Sequence, residues 1–351
     1  MQVFVMAGVG SKIACARMNF FGSTPLREES SPIPALRFAV PRFWRTHSGE
    51  LRKLSTGMIE ETSIPRVTDR SRGILLIAFA ALLWSTGGIG IKALADSPLK
   101  ITFYRSLFAA ITLAMFFRGR VFVRRWRSTT AFAFAIISYG ACLTSFVVAT
   151  KWTTAANAIF LQYAGVVWVL LFSPLVVREP MRARDVIAIA VAMSGMALFF
   201  VGRFETRGMA GNGMALVSSV FFAALILVLR REQRAAQAAV TWGNVVCALA
   251  VLPFISHDLA LTPRSFAVLA FLGVFQIAIA YVLFVRGLAY VTATQASLTG
   301  MLEPVSNPIW VFLFLGERPS GFAIAGALVV LAAIAGHTLA GEPAVDLPAP
   351  D

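Results

Sequence analysis

From residue 73 onward the chain alternates between long apolar runs and short polar connections. Ten runs stand out: 73–95, 99–118, 130–149, 154–177, 184–202, 209–230, 237–255, 264–286, 292–315 and 319–340. A helix of about 20 residues crosses the hydrocarbon of a bilayer. Backbone groups in lipid must be paired within the segment, so runs of this length predict helices. A membrane barrel would show segments of about ten residues with alternating polarity, and that pattern is absent. The prediction is an all-α integral membrane protein with ten transmembrane helices.

The runs also repeat. Shifted by 138 positions, TTAANAIFLQYAGVVWVLLFSPLVVRE (153–179) overlies VTATQASLTGMLEPVSNPIWVFLFLGE (291–317). Thr154–Ala155 meets Thr292–Ala293, Phe146 meets Phe284, Glu179 meets Glu317, and Lys92 meets Arg230. Each half holds five runs, one in 73–202 and the other in 209–340. An odd number of crossings reverses the second half relative to the first, so the expectation is a 5+5 inverted-topology repeat. Secondary transporters recurrently use this plan, with the solute bound near the midplane between the halves.

The two ends read differently. Residues 1–70 mix Pro, Ser, Arg and Glu without sustained periodicity, and little packed structure is expected there. A translation start near Met58 is the favoured reading of this extension. An Arg-rich transit segment competes with it, and Glu28, Glu29 and Glu50 argue against that alternative. The tail 341–351 is acidic and Pro-rich and is expected to be unstructured.

Composition agrees with the pattern. The chain of 351 residues is 58% hydrophobic and 14% charged, with a mean hydropathy of +0.76. Soluble domains carry about 25% charged residues. The net charge of +14 comes from arginines clustered between apolar runs. That placement fits loops facing anionic lipid and argues against a nucleic-acid partner. With the N-terminus inside, the inner loops hold the clusters at 66–72, 118–127, 178–184 and 230–234 together with Arg286. The outer side holds Lys92, Lys100, Lys151, Arg203, Arg207, Arg264 and Arg318. The bias of about two to one places both termini in the cytoplasm. The arginine-rich composition points to a bacterial source, hence the inner membrane. Cys15, Cys142 and Cys247 form no CxxC pair, and His47, His257 and His337 have no metal-ligand spacing. No metal and no cofactor are expected.

Four stretches resemble the EamA-type branch of the drug/metabolite transporter superfamily: ALLWSTGGIGIKAL (81–94), TFYRSLFAA (102–110), TTAANAIFLQY (153–163) and LEPVSNPIWVFLFLGERPSGFAIAGALVV (302–330). The resemblance spans roughly 73–340 and implies ten helices in two inverted units. It also implies transport of a small organic solute, often by export: an amino acid, another metabolite or a drug-like molecule. The first half has Val166 where the second has Pro304, whereas many relatives carry proline at both places. On that account the two halves are expected to move unequally.

The residues suggest where such a solute would meet the chain. On a helical wheel, Gln295, Thr299, Glu303, Ser306 and Trp310 share one face of the ninth run, with Asn307 at its margin. Pro304 and Pro308 lack N–H groups and free the carbonyls of Gly300 and Pro304. Freed carbonyls survive only against protein or a wet cavity, so the stripe is expected to line one. Glu303 is either an acceptor or proton partner there, or a structural tie between helices. Arg105 and Lys92 are candidates for an anionic solute group, with snorkelling to the surface the alternative for Lys92. Asn157 and Trp168 share a face of the fourth run and are further cavity candidates, although plain packing explains aromatics at this spacing equally well. Glu179 and Glu317 end apolar runs and read as loop anchors or ion-pair partners. His337 reads as a packing residue near the tail, with a proton-relay role as the alternative.

No Walker motif occurs, so direct ATP drive is not expected. No cluster of Asp or His marks a membrane-embedded enzyme. The expected partners are a small-molecule substrate and the lipid bilayer, with proton coupling and a homodimer left open. A transport-inactive scaffold or sensor is the competing function.

Overall fold

All the apolar runs fold as helices, and no strand occurs among the described residues. The computed structural model describes residues 69–119, 128–199, 201, 208–315 and 320–341. The extension 1–68, the tail beyond 341 and Glu317 lie outside the described residues. The helices are α1 (Asp69–Trp84), α2 (Gly87–Lys92), α3 (Pro98–Phe116), α4 (Thr129–Trp152), α5 (Ala155–Gln162), α6 (Gly165–Val176) and α7 (Ala183–Phe199). They continue with α8 (Met209–Arg231), α9 (Gln233–Ile255), α10 (Pro263–Phe271), α11 (Ala280–Leu288), α12 (Ala293–Gly300), α13 (Leu302–Leu315) and α14 (Gly321–Leu339). A π-helical stretch, Leu272–Ile279, joins α10 to α11.

Among the described residues, eight helical stretches are long and apolar enough to cross a membrane. Several are interrupted: Asp69–Lys92 joins α1 and α2, Ala155–Val176 joins α5 and α6, and Pro263–Leu288 contains the π segment. The fifth run forms α7, which has 17 residues. The ninth run is divided between α12 and α13. Leu75, Phe79, Met115, Leu175 and Phe254 remain well exposed along the outer faces, as lipid-facing side chains require. The interior is rich in Ala, Gly and Ser, which let helix backbones approach closely where lipid supplies no hydrophobic drive.

Ser and Thr set the helix starts. Ser97, Ser128, Thr154, Thr262, Thr292 and Ser320 each accept the backbone N–H three residues on, at 3.0–3.3 Å. This is the usual N-cap bond for otherwise orphaned donors. Thr154 and Thr292 occupy the same place in the two repeats, so the repeated Thr-Ala pair is a repeated cap.

Helix packing pairs the halves. α4 lies along α8, and α1 lies along α11. α5 and α6 pack on α8, as α12 and α13 pack on α1. α3 packs on α9, α7 on α14, and α6 on α12. Taken span by span, with α5 and α6 as one span and α12 and α13 as its equivalent, exchanging the first half for the second leaves this set of pairs unchanged.

The helix ends gather in two layers. In one, Arg70 reaches Gln295 and Thr338, and Arg230 pairs with Glu179. In the other, Lys92 reaches Thr153, Lys151 reaches Leu94, and Lys100 pairs with Asp96 at 3.1 Å and Asp258 at 2.9 Å. Burial opposes the charge on Asp96. The hydrogen bonds from Ser265 and Lys100 and the Lys100 charge outweigh it and hold that carboxyl below the usual carboxylate value. Its contribution to stability is therefore present at neutral pH and is lost only as pH falls below that ordinary range.

The first repeat breaks its fourth span without a proline, although Val166 stands where the second repeat has Pro304. A Cβ at Gly165 would lie 2.9 Å from the backbone oxygen of Ser219. Glycine there lets α6 start against the α8 backbone. Gly165→Ala should destabilise the fold by roughly 1–3 kcal/mol, as overpacking does. Thermal unfolding in mild detergent checks it. Gly336→Ala, at a site with open space around it, should leave the midpoint unchanged.

Candidate functional site

Both repeats interrupt their fourth span at equivalent positions. α5 ends at Gln162 and is capped by Tyr163, and α12 ends at Gly300 and is capped by Met301. Tyr163 and Met301 are 138 residues apart, the offset of the repeat itself. The two interruptions meet. The Tyr163 hydroxyl lies 2.7 Å from the Gly300 carbonyl oxygen and 2.8 Å from Glu303 Oε2. Tyr163 is 1% exposed and Glu303 is 7% exposed. The carbonyl freed by Pro304 thus finds its donor on the opposite repeat. A phenol has one proton, and here it faces two oxygen acceptors. One arrangement satisfies all three groups: Tyr163 donates to Gly300, and a protonated Glu303 donates to Tyr163.

Two further polar contacts join the centre. Trp310 Nε1 donates to Ser85 Oγ at 2.6 Å, linking α13 to the interruption between α1 and α2. Arg105 Nη2 donates to Gln276 Oε1 at 2.6 Å, linking α3 to the π segment. Such π turns inside α-helices are rare and concentrate at functional sites. A Cβ on Gly87 would lie 2.7 Å from Gln276 Nε2, so glycine at that turn makes room for the amide.

Aromatic rings connect these polar points. Tyr139 meets Tyr281 at 5.0 Å, Tyr281 meets Trp84 at 5.1 Å, Trp84 meets Phe222 at 6.3 Å, and Phe222 meets Tyr163 at 6.2 Å between centroids. All four contacts are edge-to-face, the arrangement ring quadrupoles favour. Tyr139 and Tyr281 lie within electrostatic reach of Arg105, and Tyr163 touches Glu303.

The straight stripe expected on the ninth run divides at Met301. Gln295 and Thr299 face the α7–α14 contact. Gln295 Oε1 meets Arg70 at 3.1 Å and His337 Nδ1 at 2.8 Å, while its Nε2 donates to Thr299 at 3.0 Å. The other His337 nitrogen meets Asp185 at 2.8 Å. His337 is therefore a polar junction between helix ends. Beyond the break, Glu303 and Trp310 face the centre, and Ser306 donates back to the Leu302 carbonyl at 2.7 Å. Asn307 is half-buried, and Pro308 lies within α13.

The remaining candidates stand apart from Glu303. Lys92 Nζ donates to the Thr153 carbonyl at 2.7 Å, at the end of the bundle. Asn157 is fully buried there and bonds Thr153 and Asn212 at 3.2 Å. Trp168 is 37% exposed, stacks on Phe172 and donates to Ser219 at 3.2 Å. Glu179 pairs with Arg230 at 2.8 Å and accepts the Ala293 N–H at 2.8 Å, anchoring the start of α12.

Sequence reasoning did not single out Tyr163, Gln276 or Asp185. The repeat offset sets Tyr163 opposite Met301, beside the freed carbonyl, and was the available signal for it. Gln276 is a lone amide in an otherwise apolar run.

Comparison with known proteins places this geometry. The sequence model of the EamA-like transporter family matches residues 71–201 and again 209–339. The chain is 23% identical to an "Uncharacterized transporter" of Archaeoglobus fulgidus, over 75% of this chain and 96% of that one. It is 28% identical to "Uncharacterized transporter YwfM" of Bacillus subtilis, over 74% and 93%. It is 25% identical to a "Probable terminal-alkyne amino-acid exporter" of Streptantibioticus cattleyicolor, over 73% and 87%. A solved crystal structure superposes with a TM-score of 0.66 at 18% identity, over 77% of this chain and 97% of that one, which establishes a shared fold.

Tyr163→Phe keeps the ring and removes the hydroxyl. It leaves the Gly300 carbonyl without its donor and should cost about 1–3 kcal/mol, the penalty for an orphaned buried polar group. Thermal unfolding reads the loss. Tyr104→Phe, whose hydroxyl bonds Leu259 at the protein's edge, should change little by comparison.

Proposed function

This chain belongs to the EamA-like transporter family, and from that premise we propose that it is a secondary transporter of a small organic solute, working by alternating access. In this reading ten helices cross the membrane as two inverted repeats of five. Export from a bacterial cytoplasm through the inner membrane, with both termini inside, fits the arginine bias of the loops. The relative described as a probable amino-acid exporter makes amino acids one candidate solute class. The observation that carries the reading is the meeting of the two interrupted fourth spans at Tyr163, Gly300 and Glu303. Inverted repeats with broken helices at their interface are how transporters build a midplane site. The exchange symmetry of the helix pairs supports the same plan.

Glu303 is the proton-responsive group of this proposal. It stands in the first turn of α13, where helix N–H groups attract negative charge. The Tyr163 geometry instead calls for a proton on the carboxyl. A group under two opposing pulls changes protonation when either one moves, which a proton-coupled cycle requires. Tyr163, Cys142, Tyr281 and Arg105 are the titratable and charged side chains within its electrostatic reach. Of these, Arg105 alone carries a charge at neutral pH.

The test begins with metabolite profiles of cells with and without the protein, which identify a transported solute. Flux of that solute is then measured in liposomes under an imposed pH gradient. Glu303→Gln retains a donor toward Tyr163, so insertion and folding should be normal. Gradient-driven flux should fall at least about tenfold and lose its pH dependence, since general acid–base groups contribute on this scale or more. Wild-type flux with an unchanged pH profile would remove Glu303 from the mechanism.

A further inference from the structure

Arg105 is 1% exposed and lies midway along α3. Its Nη2 is held by Gln276, while Nε and Nη1 have no hydrogen-bond partner. No carboxylate among the described residues forms an ion pair with it. A guanidinium stays protonated in any protein environment. A buried charge left without a partner costs several kcal/mol, so this arrangement is complete only with an anion beside it. Gln276 supplies an oriented dipole and no charge. Glu303 is engaged at Tyr163 and does not pair with Arg105.

The surroundings define the anion. A single cation with no lysine beside it matches one negative charge; Lys92 and Lys100 are occupied among the helix ends. A dianionic phosphate would bring more charge than this site offsets. The line of rings from Tyr139 and Tyr281 through Trp84 to Phe222 supplies an apolar wall leading away from the guanidinium. A planar guanidinium suits a carboxylate, and rings suit a hydrocarbon or aromatic body. We propose that Arg105, positioned by Gln276, is the seat for the carboxylate of the transported solute, a small organic monocarboxylate whose apolar body lies along the Tyr281–Trp84–Phe222 rings. The inference rests on reading the centre as the solute path.

The seat is tested by binding, apart from transport. Purified full-length protein is titrated with 3-phenylpropanoate, hexanoate, 3-phenylpropanamide and chloride, and tryptophan fluorescence is followed. Both carboxylates should bind saturably, and the amide at least about tenfold more weakly, the usual consequence of losing a charge-assisted bond. Arg105→Gln should abolish the preference for carboxylate over amide. Should that variant fail to fold, Gln276→Glu carries the test. It places a protein carboxylate on Arg105, should fold at least as well as wild type, and should lose carboxylate binding. Equal binding of amide and carboxylate overturns the assignment. So does binding of chloride alone, absence of binding by either carboxylate, or wild-type affinity in Gln276→Glu. Binding as expected with no flux of these probes in liposomes would leave the seat standing and count against the transport reading.

Discussion

The Tyr163 hydroxyl has one proton to place between two oxygens. That constraint organises the centre of this protein. Pro304 cannot donate to Gly300, so the second repeat enters its interruption with an unpaired carbonyl. Tyr163, capping the matching interruption of the first repeat, supplies the donor at 2.7 Å. Glu303 then lies 2.8 Å from an oxygen whose proton is already used. Backbone geometry in one repeat, side-chain chemistry in the other and the protonation of a buried acid are thereby linked. Separating the fourth spans would break both Tyr163 contacts together, so in the proposed cycle a protonation change at Glu303 and a movement between repeats bias one another.

Polar groups are distributed by cost. At the helix ends, where water is near, charges pair directly: Lys100 with Asp96 and Asp258, and Arg230 with Glu179. Such pairs set the register of the ends and contribute modestly to stability. In the interior an ionised group costs about 2.5–3.5 kcal/mol or more on insertion scales. Arg105 and Glu303 are nevertheless placed there, one held by a neutral amide and the other by a phenol. Arg105 bears that cost as a cation, and Glu303 bears it only when it gives up its proton, which is consistent with use by a solute and a proton.

The apolar periodicity and the 138-residue offset made the helices and the repeat legible, because both depend on local sequence. The cap role of Thr154 and Thr292, the freed Gly300 carbonyl and the interior position of Glu303 were readable for the same reason. The donor to Gly300 was not, since Tyr163 stands 137 residues away and only tertiary packing joins them. The wheel for the ninth run assumed a straight helix. The break at Met301 turned Gln295 and Thr299 toward His337 and away from Glu303. Val166, in place of a second proline, gave no sign that the first half breaks as well. Gly165 stands at that break, close against the Ser219 backbone. The π turn that presents Gln276 to Arg105 left no trace in an apolar alphabet.

Infrared difference spectroscopy of the protein in lipid, comparing wild type with Glu303→Gln at neutral pH, tests the central constraint most directly. The account predicts a protonated-carboxyl carbonyl band that is lost in Glu303→Gln and displaced in Tyr163→Phe, because its hydrogen-bond acceptor is gone. A spectrum in which Glu303→Gln removes only carboxylate bands would mean that the acid is ionised beside Tyr163, and would contradict it.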